Sequence, residues 1–286
     1  FQARWRTARA AWKESEAFAI GPAESLRMHA KIDWAPIRAD RIEDEIAGAA
    51  VLTAAHIDAL GATLKGFLAI EYLLFDPAGD DAVLAAMGGE GGVRRRAYVR
   101  ALGENLRHQT ALLRDAWSPA AGNFAATLGN AGPGNATFPT VKSAIDALVN
   151  QMVFLSEDIA DAQLLAALGT RTGGQPRPEV LDAHRSGNGL ADLLANLAGL
   201  ETMYFGAMSQ VVDNVNPDTG GALSLSIQRA LETAQRISVP LEQAVAQQKP
   251  LVERAQVRAK ELMATLEIDL ISVLGATLRF NPNDGD

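Results

Sequence analysis

Leu60, Leu64, Phe67, Ile70, Glu71 and Phe75 form the stretch on which the fold turns, and Leu190, Leu194, Leu197, Leu200, Glu201 and Phe205 repeat its pattern further along. Apolar steps of three and four mark one face of a helix, and both glutamates fall on that face. A carboxylate drawn into a core has to be neutralised, paired or bound to a cation, because burying it bare is costly. The pattern therefore predicts two related helical halves with a charged group turned inward.

Working outward, the same apolar stripe extends back through Ile57, Thr53, Ile46 and Ile42. That span exceeds an ordinary helix, and a break is expected near Gly61 or Gly66. A first helix is expected over 5–20, stopped by Gly21-Pro22, a short helical piece over 83–87 and a long helix over 93–117, stopped by Ser118-Pro119. Gly122, Gly129, Gly132, Pro133, Gly134 and Pro139 mark 121–139 as a linker. Beyond it, helices are expected over 140–168, 189–213, 220–238 and 241–278, with Pro217 and Gly220-Gly221 marking a turn. No segment alternates strictly, so no sheet is expected. The reading is an all-α protein of two four-helix bundles related by an internal repeat, residues 1–120 and 140–286.

Composition narrows the function. Against 34 acidic residues there are 26 basic ones, a formal net charge of −8, which disfavours nucleic acid and anionic lipid as partners. The chain has no cysteine, so disulfides and thiolate metal sites are excluded. No apolar run reaches the roughly 18–20 residues needed to cross a bilayer as a helix. The chain begins at Phe1 rather than Met, and a removed upstream signal segment is the expectation.

Several short constellations have a bland reading beside a chemical one. Glu104 and His108, four apart, form half a metal site or an ordinary exposed helix pair. Glu157, Asp158 and Asp161 form a cation patch or a solvated face. Asp284-Gly285-Asp286 has calcium-loop chemistry without the twelve-residue pattern, and reads better as a terminal cap. His184 and Ser186 share a loop, but no nucleophile elbow accompanies them. The glycines at 88, 89, 91 and 92 lack the Lys-Ser/Thr of a phosphate loop. Tyr72, Tyr204, Trp34 and Trp117 line a pocket or fill a core. For Glu71 the structural alternative is an ion pair with one of Arg94, Arg95, Arg96 or Arg100 from the long helix.

Taken in order, several of these pieces resemble the imelysin-like family of bacterial envelope proteins. The resemblance is carried by Trp12, Glu16, Phe18 and Gly21-Pro22, by Ile32-Asp33-Trp34, and by Gly66-Phe67-Leu68-Ala69-Ile70-Glu71-Tyr72-Leu73-Leu74. Arg95-Arg96-Ala97-Tyr98, Asn196-Leu197-Ala198-Gly199-Leu200, Tyr204 with Gly206, and the run from Leu274 to Asn281 continue it. It implies two four-helix bundles and, through a Gly-x-His-x-x-Glu signature, a metal held by the histidine and the glutamate. Gly66 and Glu71 match the ends of that signature, but position 68 is leucine, which has no lone pair to coordinate a metal.

The resemblance implies an envelope binding protein linked to iron uptake, periplasmic or lipid-anchored, taking iron or another divalent cation and serving an envelope protein partner. Its ligand site would lie between the bundles, drawing on Gly66, Leu68, Glu71, Tyr72, Arg95, Arg96 and Glu201, with Glu71 as the metal ligand if one binds. The competing expectations are a metal-dependent peptidase with Glu71 as general base, and a structural module whose inward charges only fix helix register.

Overall fold

The computed structural model describes residues 1–279, and among them every regular element is helical. The tail Asp284-Gly285-Asp286 lies outside the described residues. The described chain forms two compact units, one of residues 1–9 and 21–126 and the other of 10–20 and 127 onward. The opening helix α1 (Gln2–Ser15) contributes its first half to one unit and its second half to the other. A 3-10 turn, Glu16–Phe18, and Gly21 in the left-handed region end the expected 5–20 helix early.

In the first unit the apolar stripe is divided into α2 (Ala39–Ala47), α3 (Ala54–Ala59) and α4 (Gly66–Leu74), with a 3-10 turn over Ala62–Leu64. The chain breaks at Gly48 as well as at 60–65, one break more than the periodicity suggests. Gly66 has φ +79°, and a Cβ there would collide with the carbonyl of Ile32. Only glycine lets α4 start at this place. The spine of the unit is α5 (Gly92–Trp117), 26 residues long, whose Tyr98, Ala101, Leu102, Asn105 and Gln109 are buried at helical spacing. Tyr98 donates its hydroxyl to the Leu64 carbonyl at 2.8 Å.

The arginines that open α5 close other helices. Arg94 donates to the carbonyls of Ile46 (2.6 Å), Glu45 (3.1 Å) and Ala50 (3.1 Å), capping the end of α2. Arg96 donates to the Met87 carbonyl at the end of the Asp80–Met87 helix. Arg95 pairs with Glu43 at 2.5 Å, while Arg100 is exposed. These arginines are committed elsewhere, so the expected pairing of one of them with Glu71 is not what they do.

The second unit is built on α6 (Val141–Glu157), α7 (Gly189–Met203), α8 (Pro217–Gln235) and α9 (Lys249–Ala264). Thr140 and Ser143 form a capping box at the start of α6. Pro217 and Gly220-Gly221, expected as a turn, lie inside α8. Pro217 takes the first helical position, where its missing N–H costs nothing, and Asn216 caps the helix by accepting from Asp218 and Thr219. Three π-helical segments, Asp158–Leu165, Tyr204–Met208 and Thr265–Leu270, continue α6, α7 and α9. They shift the side-chain register, so Phe205, assigned to the inward stripe, stands 43% exposed.

Candidate functional site

The two glutamates that define the sequence pattern differ in setting. Glu71 is a core residue, 2% exposed, whereas Glu201 is half-buried. The first unit also encloses a buried ion pair that is not legible in the sequence. Arg9 donates to Asp33 at 2.5 Å, and the two side chains are wholly buried. The Arg9 guanidinium lies over the rings of Trp5 (5.6 Å) and Phe67 (5.8 Å), and Trp5 donates to the Phe67 carbonyl at 3.0 Å. Glu71 follows Phe67 by one helical turn on the same face of α4.

The other residues assigned to the site each have a definite local setting. Leu68 is 3% exposed and packed inward. Tyr72 is half-buried and donates to Glu43 at 2.8 Å, sharing that carboxylate with Arg95. Arg96 faces the Met87 carbonyl and Gly66 forms the tight start of α4.

The second unit holds a cleft of about 80 Å³ lined by Lys13, Asp158, Gln163, Asp182, Gly189 and Asp192, with Leu181 and Ala183 as apolar wall. That is room for roughly two or three waters. Lys13 comes from the inward face of α1, 4% exposed, with its Nζ 3.2 Å from Glu16 and 3.8 Å from Asp182. Asn196, fully buried on α7, donates to the Lys13 carbonyl and to Glu16, each at 2.8 Å. Gln163 donates to Asp158 (2.8 Å) and to Asn196 Oδ1 (3.0 Å). Asp158 and Gln163 are five apart, a separation that the π-helical register brings onto one side. Asn188 donates to Asp192 at 2.7 Å just where α7 begins.

Glu242 braces the same wall by accepting the Gly189 N–H at 2.9 Å. Burial pushes its carboxyl above the ordinary value and Asp192 adds to this, while its own backbone N–H, the Gly189 N–H and His184 act against it. The arrangement presents an ammonium, amides and carboxylates at the margin of a small hollow. That chemistry suits binding a small polar molecule through several hydrogen bonds.

The remaining constellations resolve into local roles. His184 Nδ1 is 2.9 Å from the Leu181 carbonyl and Ser186 donates to the Ala183 carbonyl at 3.0 Å, so each contacts the backbone of its own loop. Glu104 and His108 are both exposed. Asp161 of the acidic patch is paired with Lys260 at 2.7 Å. Among the described residues no three of His, Asp and Glu are placed to share a metal ion. Lys13, Gln163, Asp182, Asp192 and Asn196 were missed by sequence reasoning. Trp5, Arg9, Trp12 and Glu16 recur at steps of four, three and four, a signal that α1 turns charged groups inward along with its tryptophans.

Comparison with known proteins places this arrangement. Residues 1–266 match the family model for imelysin, peptidase family M75. The iron-regulated protein A of Synechococcus elongatus is 29% identical over 210 residues, covering 73% of this chain and 52% of the relative. The chain thus spans about half the length of that curated relative. Among solved structures, an imelysin-like protein from Psychrobacter arcticum superposes with a TM-score of 0.78 at 18% identity, covering 98% of this chain and 82% of its own. An iron-regulated protein A precursor from Parabacteroides distasonis gives 0.71 at 19% identity, covering 94% and 80%. At these identities the two structures share the fold.

Proposed function

The chain belongs to the imelysin family, and from that premise we propose that it is a binding protein of the bacterial envelope, linked to iron supply, that does not hydrolyse peptides. The observation that carries the reading is the burial of the signature itself. Leu68 stands where the family histidine would be and is 3% exposed, and Glu71 is 2% exposed. A general base has to reach water and substrate, and a metal has to be reached by both. Glu71 lies instead in the core of the first unit. The link to iron comes from the name of the Synechococcus relative. The location, periplasmic or lipid-anchored, follows the family and is part of the proposal.

The ligand is held in the second unit's cleft, where Lys13, Gln163, Asp182 and Asp192 supply donors and acceptors around a small volume. The test is elemental analysis of natively purified wild type and Glu71→Gln, with casein as a hydrolysis probe. The reading expects no stoichiometric metal that depends on Glu71, and no cleavage. Stoichiometric iron or zinc lost in Glu71→Gln, or cleavage abolished by a chelator, would overturn it. Fractionation of cells grown with and without iron tests the location and the iron link. A cytosolic protein whose level ignores iron would remove both.

A further inference from the structure

We propose that α6 carries a peptide-binding site that reads the main chain of an extended segment, filled within one copy by residues 276–279 and open to the same segment of a second copy in exchange. The site shares no residue with the cleft. Its occupant belongs to the run from Leu274 to Asn281 that carries part of the family resemblance.

The match is one of repeat lengths. Asp146 and Asn150 stand one turn apart on the same face of α6, about 6 Å along its axis. Alternate residues of an extended chain advance by about 6.6 Å and turn their N–H and C=O groups to the same edge. Asp146 Oδ1 accepts the Thr277 N–H at 2.9 Å, and Asn150 Nδ2 donates to the Thr277 carbonyl at 2.8 Å. Asn150 Oδ1 accepts the Arg279 N–H at 2.6 Å. Two helical side chains thus present the acceptor, donor, acceptor order of a neighbouring strand, the pattern by which added strands are recognised. One turn earlier, Lys142 donates to the Thr277 hydroxyl at 2.8 Å and pairs with Asp146 at 2.8 Å.

Asn150 is 4% exposed and is committed to this recognition. Apart from the Asp146 carbonyl, at 2.6 Å, its partners are the C=O and N–H of the segment. The site reads the hydroxyl at 277 and ignores the side chains that follow, since Leu278 and Arg279 are exposed. The class of ligand is therefore an extended polypeptide with a hydroxyl residue between its bonded amides.

The same features make the segment transferable. Leu278, its one large apolar side chain, is 51% exposed and anchors nothing. Gly275, at φ +59° with open space at its Cβ position, joins the segment to the Ile271–Leu274 helix and supplies a hinge. Each of these bonds runs between the segment and α6, so the same set forms when the segment comes from a second copy. That is the condition for exchanging an identical element between protomers.

The test uses the full chain in two complementary variants. Thr277→Pro removes the N–H and the hydroxyl that α6 binds and leaves the site intact. Asn150→Leu removes the amide at similar volume and leaves the segment intact. A labelled, end-capped peptide of residues 274–279 should bind Thr277→Pro at least about tenfold tighter than wild type, because the vacant fraction of the site sets the apparent affinity. Adding Asn150→Leu should abolish that binding, and valine in place of the peptide's threonine should weaken it. In sedimentation, Thr277→Pro mixed with Asn150→Leu should give a heterodimer, and each alone should stay monomeric. Peptide binding that is absent up to millimolar concentration, or indifferent to Asn150, would overturn the site. A mixture that sediments as monomers would overturn the second copy as the source of the segment. If Thr277→Pro does not fold, Arg279→Pro, which withdraws the N–H that Asn150 accepts, takes its place in each experiment. No cleft ligand or metal enters these measurements, so their failure is separate from failure of the binding function.

Discussion

Arg9 and Asp33 form an ion pair at 2.5 Å in which neither side chain has accessible surface. Two rings, Trp5 and Phe67, cover the guanidinium. Removing one partner of such a pair takes a counter-ion from a buried charge, which is worse than removing both. Arg9→Met and Asp33→Leu should each destabilise the protein by about 3–5 kcal/mol. The double variant should lose less than the sum of the two. Urea unfolding of the three variants checks this, and strict additivity would count against a coupled pair.

Two glycines are held by backbone neighbours. Gly66→Ala would place a Cβ in the left-handed region against the Ile32 carbonyl, and the conformation alone costs about 1–2 kcal/mol. Gly199→Ala would drive a Cβ into the Glu14 carbonyl and toward Ala17, an overpacking cost of about 1–3 kcal/mol. Gly103→Ala, on α5 with open space at its Cβ position, is the control and should stabilise slightly. Thermal unfolding should rank the three in that order, with roughly 2–4 °C of midpoint per kcal/mol.

Placing the histidine of the proposed signature by Leu68→His should not create a metal site. The position is in the core, so an imidazole there replaces well-packed apolar volume with a polar ring, at about 2–4 kcal/mol. The expected outcome is a lower melting point and unchanged metal content by elemental analysis. A stoichiometric metal in Leu68→His would mean that the signature geometry is intact and that only its donor has been lost.

Glu267, half-buried in the π-helical continuation of α9, predicts a pH effect. Burial raises its proton affinity, Glu157 and Asp161 add to the rise, and Lys260 opposes it. Its contribution to stability is complete below its unfolded value of 4.5 and declines as pH rises through the folded value. Glu267→Gln should therefore flatten part of the fall in melting temperature between mildly acidic and neutral pH. An identical pH profile for the two proteins would remove Glu267 from the account.

The helical class and most chain breaks were legible because glycine, proline and a three-four apolar rhythm report local geometry. Val93 to Trp117 reads as one helix and is one, starting a residue earlier at Gly92. The three π-helical segments left no such mark, since a shift from i+4 to i+5 pairing depends on packing around it. Phe205 therefore reads as inward in the sequence, and Asp158 and Gln163 read as unrelated. Arg9 and Lys13 are hidden in the sequence for another reason. Charged residues on an amphipathic helix ordinarily face water, and only the burial of both of them shows that α1 has no ordinary polar face at these positions.

The division of α1 has a practical result for anyone cutting the gene. A fragment starting at 127 would contain α6 to α9 but lack Lys13, Glu14 and Glu16. Asn196 would then lose both acceptors, the Lys13 carbonyl and the Glu16 carboxylate. The surface of Gly199 that fits the Glu14 backbone would face solvent. A stable excised second unit should need residues 10–20 supplied as a grafted leader or as a separate peptide, which makes split-protein complementation a natural format for this fold.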